Sequence, residues 1–123
     1  MKQFYGECQS PMGVAFDNTG NLYIADHNNT CIQTFTPDGQ FLQKFGTGQL
    51  QHPYSIAIHC DMVYVGERDD HRISVFSSEG KFLKSFGMEG EAQGQFIGPY
   101  GVTVNANGFA LVADHSNNRV QIF

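Results

Sequence analysis

The sequence contains no tryptophan, only four prolines, and charged residues at 15% of its 123 positions, well under the quarter usual in soluble domains. Positive charge is scarcer still, with 7 Lys and Arg against 12 Asp and Glu, for a net charge of -5. Nucleic-acid binders need Lys and Arg to displace phosphate counterions, so this balance disfavours RNA as a partner. No apolar run approaches the length of a membrane span and no signal peptide is visible, so a soluble chain with no membrane partner is expected. The cysteines, Cys8, Cys31 and Cys60, are odd in number and include no C-x-x-C pair. Neither a zinc knuckle nor a disulfide framework is supported, and free thiols suit a reducing, cytoplasmic setting.

Catalytic signatures are missing as well. There is no G-x-S-x-G, no H-E-x-x-H and no EF-hand loop. Gly46-Thr47-Gly48 lacks the third glycine and following helix of a dinucleotide turn. Asp17-Asn18-Thr19-Gly20-Asn21 has calcium-loop residues without the bidentate Glu, and reads as a hairpin turn. No cofactor, no metal and no enzymatic activity are expected.

What is abundant points to β-structure. Hydrophobic residues reach 41%, with 14 Gly, 11 Phe and 5 Tyr, a composition of short strands and tight turns. Three segments align on a shared proline: Pro11-Met12-Gly13-Val14-Ala15-Phe16, Pro53-Tyr54-Ser55-Ile56-Ala57-Ile58 and Pro99-Tyr100-Gly101-Val102-Thr103-Val104. The prolines are 42 and 46 residues apart, a blade-sized period. Second strands follow in Leu22–Asp26, Met62–Glu67 and Ala110–Asp114, each ending in an acid. Third strands are Cys31–Phe35, Arg72–Phe76 and Arg119–Phe123, and fourth strands appear in 39–46 and 80–87. Four short strands per unit is the plan of a propeller blade. Gly13-Val14-Ala15-Phe16 and Leu22-Tyr23-Ile24-Ala25 are apolar throughout, as expected where blades bury both faces, whereas the fourth strands carry Gln43, Lys44, Lys81 and Lys84.

Asp114-His115-Ser116-Asn117-Asn118-Arg119-Val120-Gln121-Ile122-Phe123 resembles the NHL repeat, as does the weaker stretch from Glu67 to Phe76. The likeness covers nearly the whole chain. It implies an all-β, NHL-type β-propeller, in a family whose members form six-bladed rings at the C-terminal end of tripartite-motif ubiquitin ligases. There they recruit substrate proteins or, in some members, bind RNA. A third function, an amidating-lyase-like propeller enzyme holding a metal, is also carried by related repeats.

The strands make about three blades, half of a six-bladed ring: 11–45, 53–86 and a partial blade at 99–123, with 1–4 placed as the tail of an outer strand. Either the chain is a piece of a longer protein, or two copies close the ring. For a soluble chain the second is expected, each copy's first strand completing the other's last blade.

Candidate site residues follow from topology. The acid-to-arginine spacing, Glu67 to Arg72 and Asp114 to Arg119, spans the turn between second and third strands and reads as a structural turn pair. Cys31 replaces the arginine in the first blade, so Asp26 needs another partner. His27, Arg68 and His115 follow the acids on exposed turns, too far apart to ligate one metal. His71 lies on the same loop face. Met12, Tyr54 and Tyr100 are expected to rim the channel there, either as contacts for a protein or peptide ligand or as a plug of its mouth.

Overall fold

The computed structural model describes residues 7–123; the outer strand expected at 1–4 lies outside them. Among the described residues eleven strands fall into three antiparallel sheets. The first holds β1 (Pro11–Phe16), β2 (Leu22–Asp26), β3 (Cys31–Phe35) and β4 (Phe41–Phe45). The second holds β5 (Ser55–His59), β6 (Met62–Glu67), β7 (Arg72–Ser77) and β8 (Phe82–Phe86). Among the described residues the third has three strands, β9 (Pro99–Val104), β10 (Ala110–Asp114) and β11 (Arg119–Ile122). Each sheet is a meander in sequence order, the blade plan that the repeat implied.

Local chemistry sets the turns. Asp17 folds its own loop, its Oδ1 accepting from the Thr19 and Asn21 amides at 2.9 Å each. Asn105 does the same for Asn107 and Phe109, at 3.0 Å. No ion is needed to shape either loop. In the second blade Cys60 and Asp61 both take left-handed φ (49° and 59°), giving the tight two-residue turn that suits the twist of paired strands.

The core is divided between two joints. The first blade's Tyr23, Ala25, Ile32 and Phe45 pack on Leu50, Ile56, Val63, Val65 and Phe76 of the second blade. The second blade's other face, Tyr64, Ile73 and Val75, packs on Phe96, Val102, Ala110 and Val112 of the third. β6 and β7 are therefore apolar on both faces because both faces meet a neighbour. β1 departs from that expectation. Val14 and Phe16 are 63% and 66% exposed, because in the described arc the first blade has a neighbour on one side only.

Candidate interaction face

At one edge of each blade a buried carboxylate organises the loops. Asp26, Glu67 and Asp114 are fully buried at the ends of β2, β6 and β10. Each accepts a hydrogen bond from the segment entering its blade: Gln9 N and Ser10 N to Asp26 (both 3.1 Å), Gln51 N to Glu67 (2.8 Å) and Ile97 N to Asp114 (2.8 Å). The residue seven positions on also donates: Gln33 at 2.9 Å, Ser74 at 2.6 Å and Gln121 at 3.2 Å. Burial pushes the Asp26 carboxyl up, but hydrogen bonds from Ser10, Asn29, Gln9 and Gln33 outweigh it and hold the group below the usual range. Asp114 is likewise held down against burial by Asn117, Ile97, Arg119 and Gln121.

The turn arginines join this network. Arg72 Nε lies 2.6 Å from Glu67 Oε2, and its Nη2 donates to Gln49 O at 2.8 Å. Arg119 Nε lies 2.8 Å from Asp114 Oδ2, with Nη2 donating to Ala92 O and Gln95 O. Glu67–Arg72 and Asp114–Arg119 thus sit as turn pairs that also bind the incoming loop. Cys31 makes no such reach. Asp26 keeps Asn29 Nδ2 at 2.7 Å, as Asp114 keeps Asn117 Nδ2 at 2.8 Å, and burial followed by the Asp26 charge pushes the Cys31 thiol up to about 11.

These networks fix three like turns. Arg68–Asp70 and His115–Asn117 are single 3₁₀ turns, closed by His71 and Asn118 in left-handed backbone at φ 55° and 53°. Thr30 closes the first blade's turn at φ 54°. The residue opening each turn is held against the tyrosine that follows a blade proline. His27 and Tyr54 have ring centroids 6.5 Å apart. The Arg68 guanidinium stacks over Tyr54 at 4.6 Å and Tyr100 at 5.4 Å, and the two tyrosine rings meet edge to face at 5.1 Å. Tyr100 and His115 continue the row at 4.8 Å.

The result is one unbroken row, His27–Tyr54–Arg68–Tyr100–His115, crossing both joints. Spacing along the sequence had set His27, Arg68 and His115 apart; the intervening tyrosines bring them into a common surface. The phenols are tuned by the row. Hydrogen bonding to Tyr100 raises Tyr54, while Tyr100, accepting from Tyr54 and Arg68, is lowered. Arg68 also pairs with Asp69 at 2.9 Å, which holds that carboxyl down.

Tyr100 is 40% and Met12 47% exposed, Met12 at the open end of the arc. His71 is placed differently from the others. Its Nδ1 accepts the Gly98 amide at 3.0 Å, so it ties the second blade's turn to the loop entering the third. His52 joins the face instead, 3.2 Å from Asp70 and with its ring 5.4 Å from that of His27. Sequence reasoning placed the loops holding His52, Asn29 and Asn117 on this face without giving those side chains a role, and gave none to Gln33, Ser74 or Gln121. The last five stand at fixed offsets of three or seven from the acids, a signal present in the repeat alignment.

Comparison with known proteins gives the same picture. Residues 9–35 and 96–123 match the family model described as NHL repeat. Over 114 residues the chain is 42% identical to the E3 ubiquitin-protein ligase TRIM71 of Mus musculus, covering 85% of this chain and 12% of that protein. Tripartite motif-containing protein 2 of Rattus norvegicus is 48% identical over 40 residues, 32% of this chain and 5% of that one. The chain thus spans about an eighth of the length of the TRIM71 relatives, or 12%. Among solved structures, a streptogramin B lyase superposes with a TM-score of 0.74 at 17% identity, over 93% of this chain and 39% of that one. A nidogen–laminin complex chain gives 0.73 at 23% identity, over 98% and 45%. These two are β-propeller proteins, and at such identities the likeness carries fold alone. The chain is built of NHL repeats in β-propeller blades, and it is homologous to a segment of the tripartite-motif proteins TRIM71 and tripartite motif-containing protein 2.

Proposed function

We propose that this chain is a non-enzymatic interaction scaffold whose loop face takes a protein or peptide, as the substrate-recruiting part of a tripartite-motif ubiquitin ligase. The observation that carries this reading is the row Tyr54–Arg68–Tyr100–His115. Aromatic and arginine side chains dominate binding hot spots. Here they are stacked in advance on turns fixed by buried carboxylates, so little ordering entropy is left for the partner to offset. The homology to an E3 ubiquitin-protein ligase supports the recruiting role, and three free cysteines support a cytoplasmic setting.

RNA binding is the second reading, and charge weighs against it. The three arginines of the face each pair with a carboxylate, Asp69, Glu67 or Asp114, while Glu89 and Glu91 are exposed beside them. Lys44, Lys81 and Lys84 lie on the outer strands β4 and β8. A lyase-like activity has only the fold of distant propellers behind it, and fold does not fix function. The deciding measurement is titration of a purified binding protein against variants. Tyr54→Ala and Tyr100→Ala are expected to weaken it by about tenfold or more, with Lys81→Glu unchanged. Retention of single-stranded RNA that falls steeply with salt, unaffected by the tyrosine variants, would favour RNA instead.

A further inference from the structure

The centre of the aromatic row lies at the internal joint between the second and third blades. Tyr100 follows Pro99 at the start of β9, and the segment leading into it is pinned. Ile97 N donates to the buried Asp114 at 2.8 Å, and Ser116 N donates to Ile97 O at 3.0 Å. Gly98, at φ +65°, passes between the two turns: a Cβ there would stand 3.7 Å from Ser116 Oγ and 3.9 Å from Arg68 Cγ. Arg68 is thus held between the Tyr54 and Tyr100 rings with Gly98 beside its stem, yet its side chain stays 31% exposed.

Hydrogen bonding within this group runs in one direction. Tyr100 Oη accepts from Tyr54 and from Arg68 Nη1, the latter at 3.3 Å. Both lone pairs of a phenol oxygen are then in use, and only its own proton is left to offer. Arg68 directs Nε to Asp69 at 2.9 Å, Nη1 to Tyr100 and a weaker contact to Tyr54. A guanidinium has no acceptor and more N–H donors than those contacts use. Side by side, Arg68 and Tyr100 therefore present donors and one positive charge.

We propose, building on the reading of this face as a protein-binding surface, that Arg68 and Tyr100 together take a single carboxylate, the side chain of a Glu or Asp in the partner segment. An ionised carboxylate only accepts, and charge-assisted hydrogen bonds to it are the strong kind. A partner ammonium or guanidinium would bring donors to donors, and Arg68 already occupies the tyrosine rings that would otherwise stack a cation. Asp69 limits how much negative charge is accepted. It partly neutralises Arg68 from the Nε side and is itself 46% exposed. Asp70 shares its turn, and Glu89 and Glu91 are exposed on the loop entering the third blade. A phosphate dianion, a run of acids or a phosphodiester chain is repelled by these groups. The segment recognised carries one acid among uncharged or basic neighbours.

The probe is N-acetylglutamic acid α-amide, which has one side-chain carboxylate, with its glutamine and lysine counterparts as controls. Binding to the full chain is followed by NMR at the Gly98 and Tyr100 amides. The glutamate compound is expected to bind about tenfold more tightly than the other two. Arg68→Lys keeps the charge without the fork, and Tyr100→Phe keeps the ring without the proton. Each is expected to weaken binding about tenfold, with the circular dichroism spectrum unchanged. Asp69→Asn is expected to tighten it about threefold, a gain that no folding defect produces. Equal binding of the glutamine compound overturns the proposal, as does preference for the lysine compound or no binding of any. Tighter Arg68-dependent binding of inorganic phosphate or single-stranded RNA overturns it too. A binding protein that needs both tyrosines but tolerates Arg68→Lys and Asp69→Asn keeps the scaffold reading and overturns this one. Carboxylate binding without any effect of the tyrosine variants on a binding protein does the reverse.

Discussion

A buried carboxylate is costly unless its oxygens are fully hydrogen-bonded, and each blade contains one. Glu67 receives Gln51 N, Ser74 and Arg72, so deleting it strands three donors and frees the loop entering β5. Glu67→Ala is expected to lower stability by about 3–5 kcal/mol in urea unfolding, with little further loss when Arg72→Ala is added. Asp26 and Asp114 make a different claim, about pH. Their folded-state carboxyls are held down, so the stabilisation is present above the unfolded value of about 3.9 and is lost as pH falls through the lower, folded one. Thermal midpoints are expected to hold from neutrality to about pH 5 and then drop, with Asp26→Asn flattening part of the decline. The acid positions and their arginines were legible in the sequence. The incoming-loop amides were not, because the acid's full set of partners depends on where a loop from a distant stretch of chain comes to rest.

At the scale of strands and turns, alternation and turn chemistry locate the elements, and the proline-anchored repeat sets their register. Sequence pattern does not say how close two strands come across a joint. Gly13 shows the difference: its backbone is not left-handed, and the glycine is needed because β1 runs against the backbone entering β5. Gly13→Val is expected to push that joint apart and cost about 1–3 kcal/mol, the usual range for overpacking, whereas Gly101→Val leaves the stability of a single arc unchanged. Chemical denaturation of both variants at low concentration checks the contrast. His71 was placed on the binding surface by its turn position, but a turn also has an inner side. With Nδ1 accepting from Gly98, its replacement by Ala acts on the second joint, not on partner affinity.

For the molecule as a whole, stability comes from stacking, since each blade touches only its neighbours and has no separate core. Three repeats in the sequence made that architecture readable. The row from His27 to His115 was not readable, because it is formed by residues of adjacent blades alternating around the arc, a relation that exists only once the joints are made. The same nearest-neighbour logic predicts where the molecule opens. The middle blade is held by both joints, and Val63, Val65, Ile73 and Val75 are fully buried there, so amides of β6 and β7 are expected to exchange most slowly. Each outer blade is held by one joint, and strands β1 and β11 are expected to exchange fastest in dilute protein. Hydrogen–deuterium exchange resolved strand by strand measures the contrast between the middle blade and the outer two. Equal protection in all three blades would mean that the blades are not held together by their shared faces.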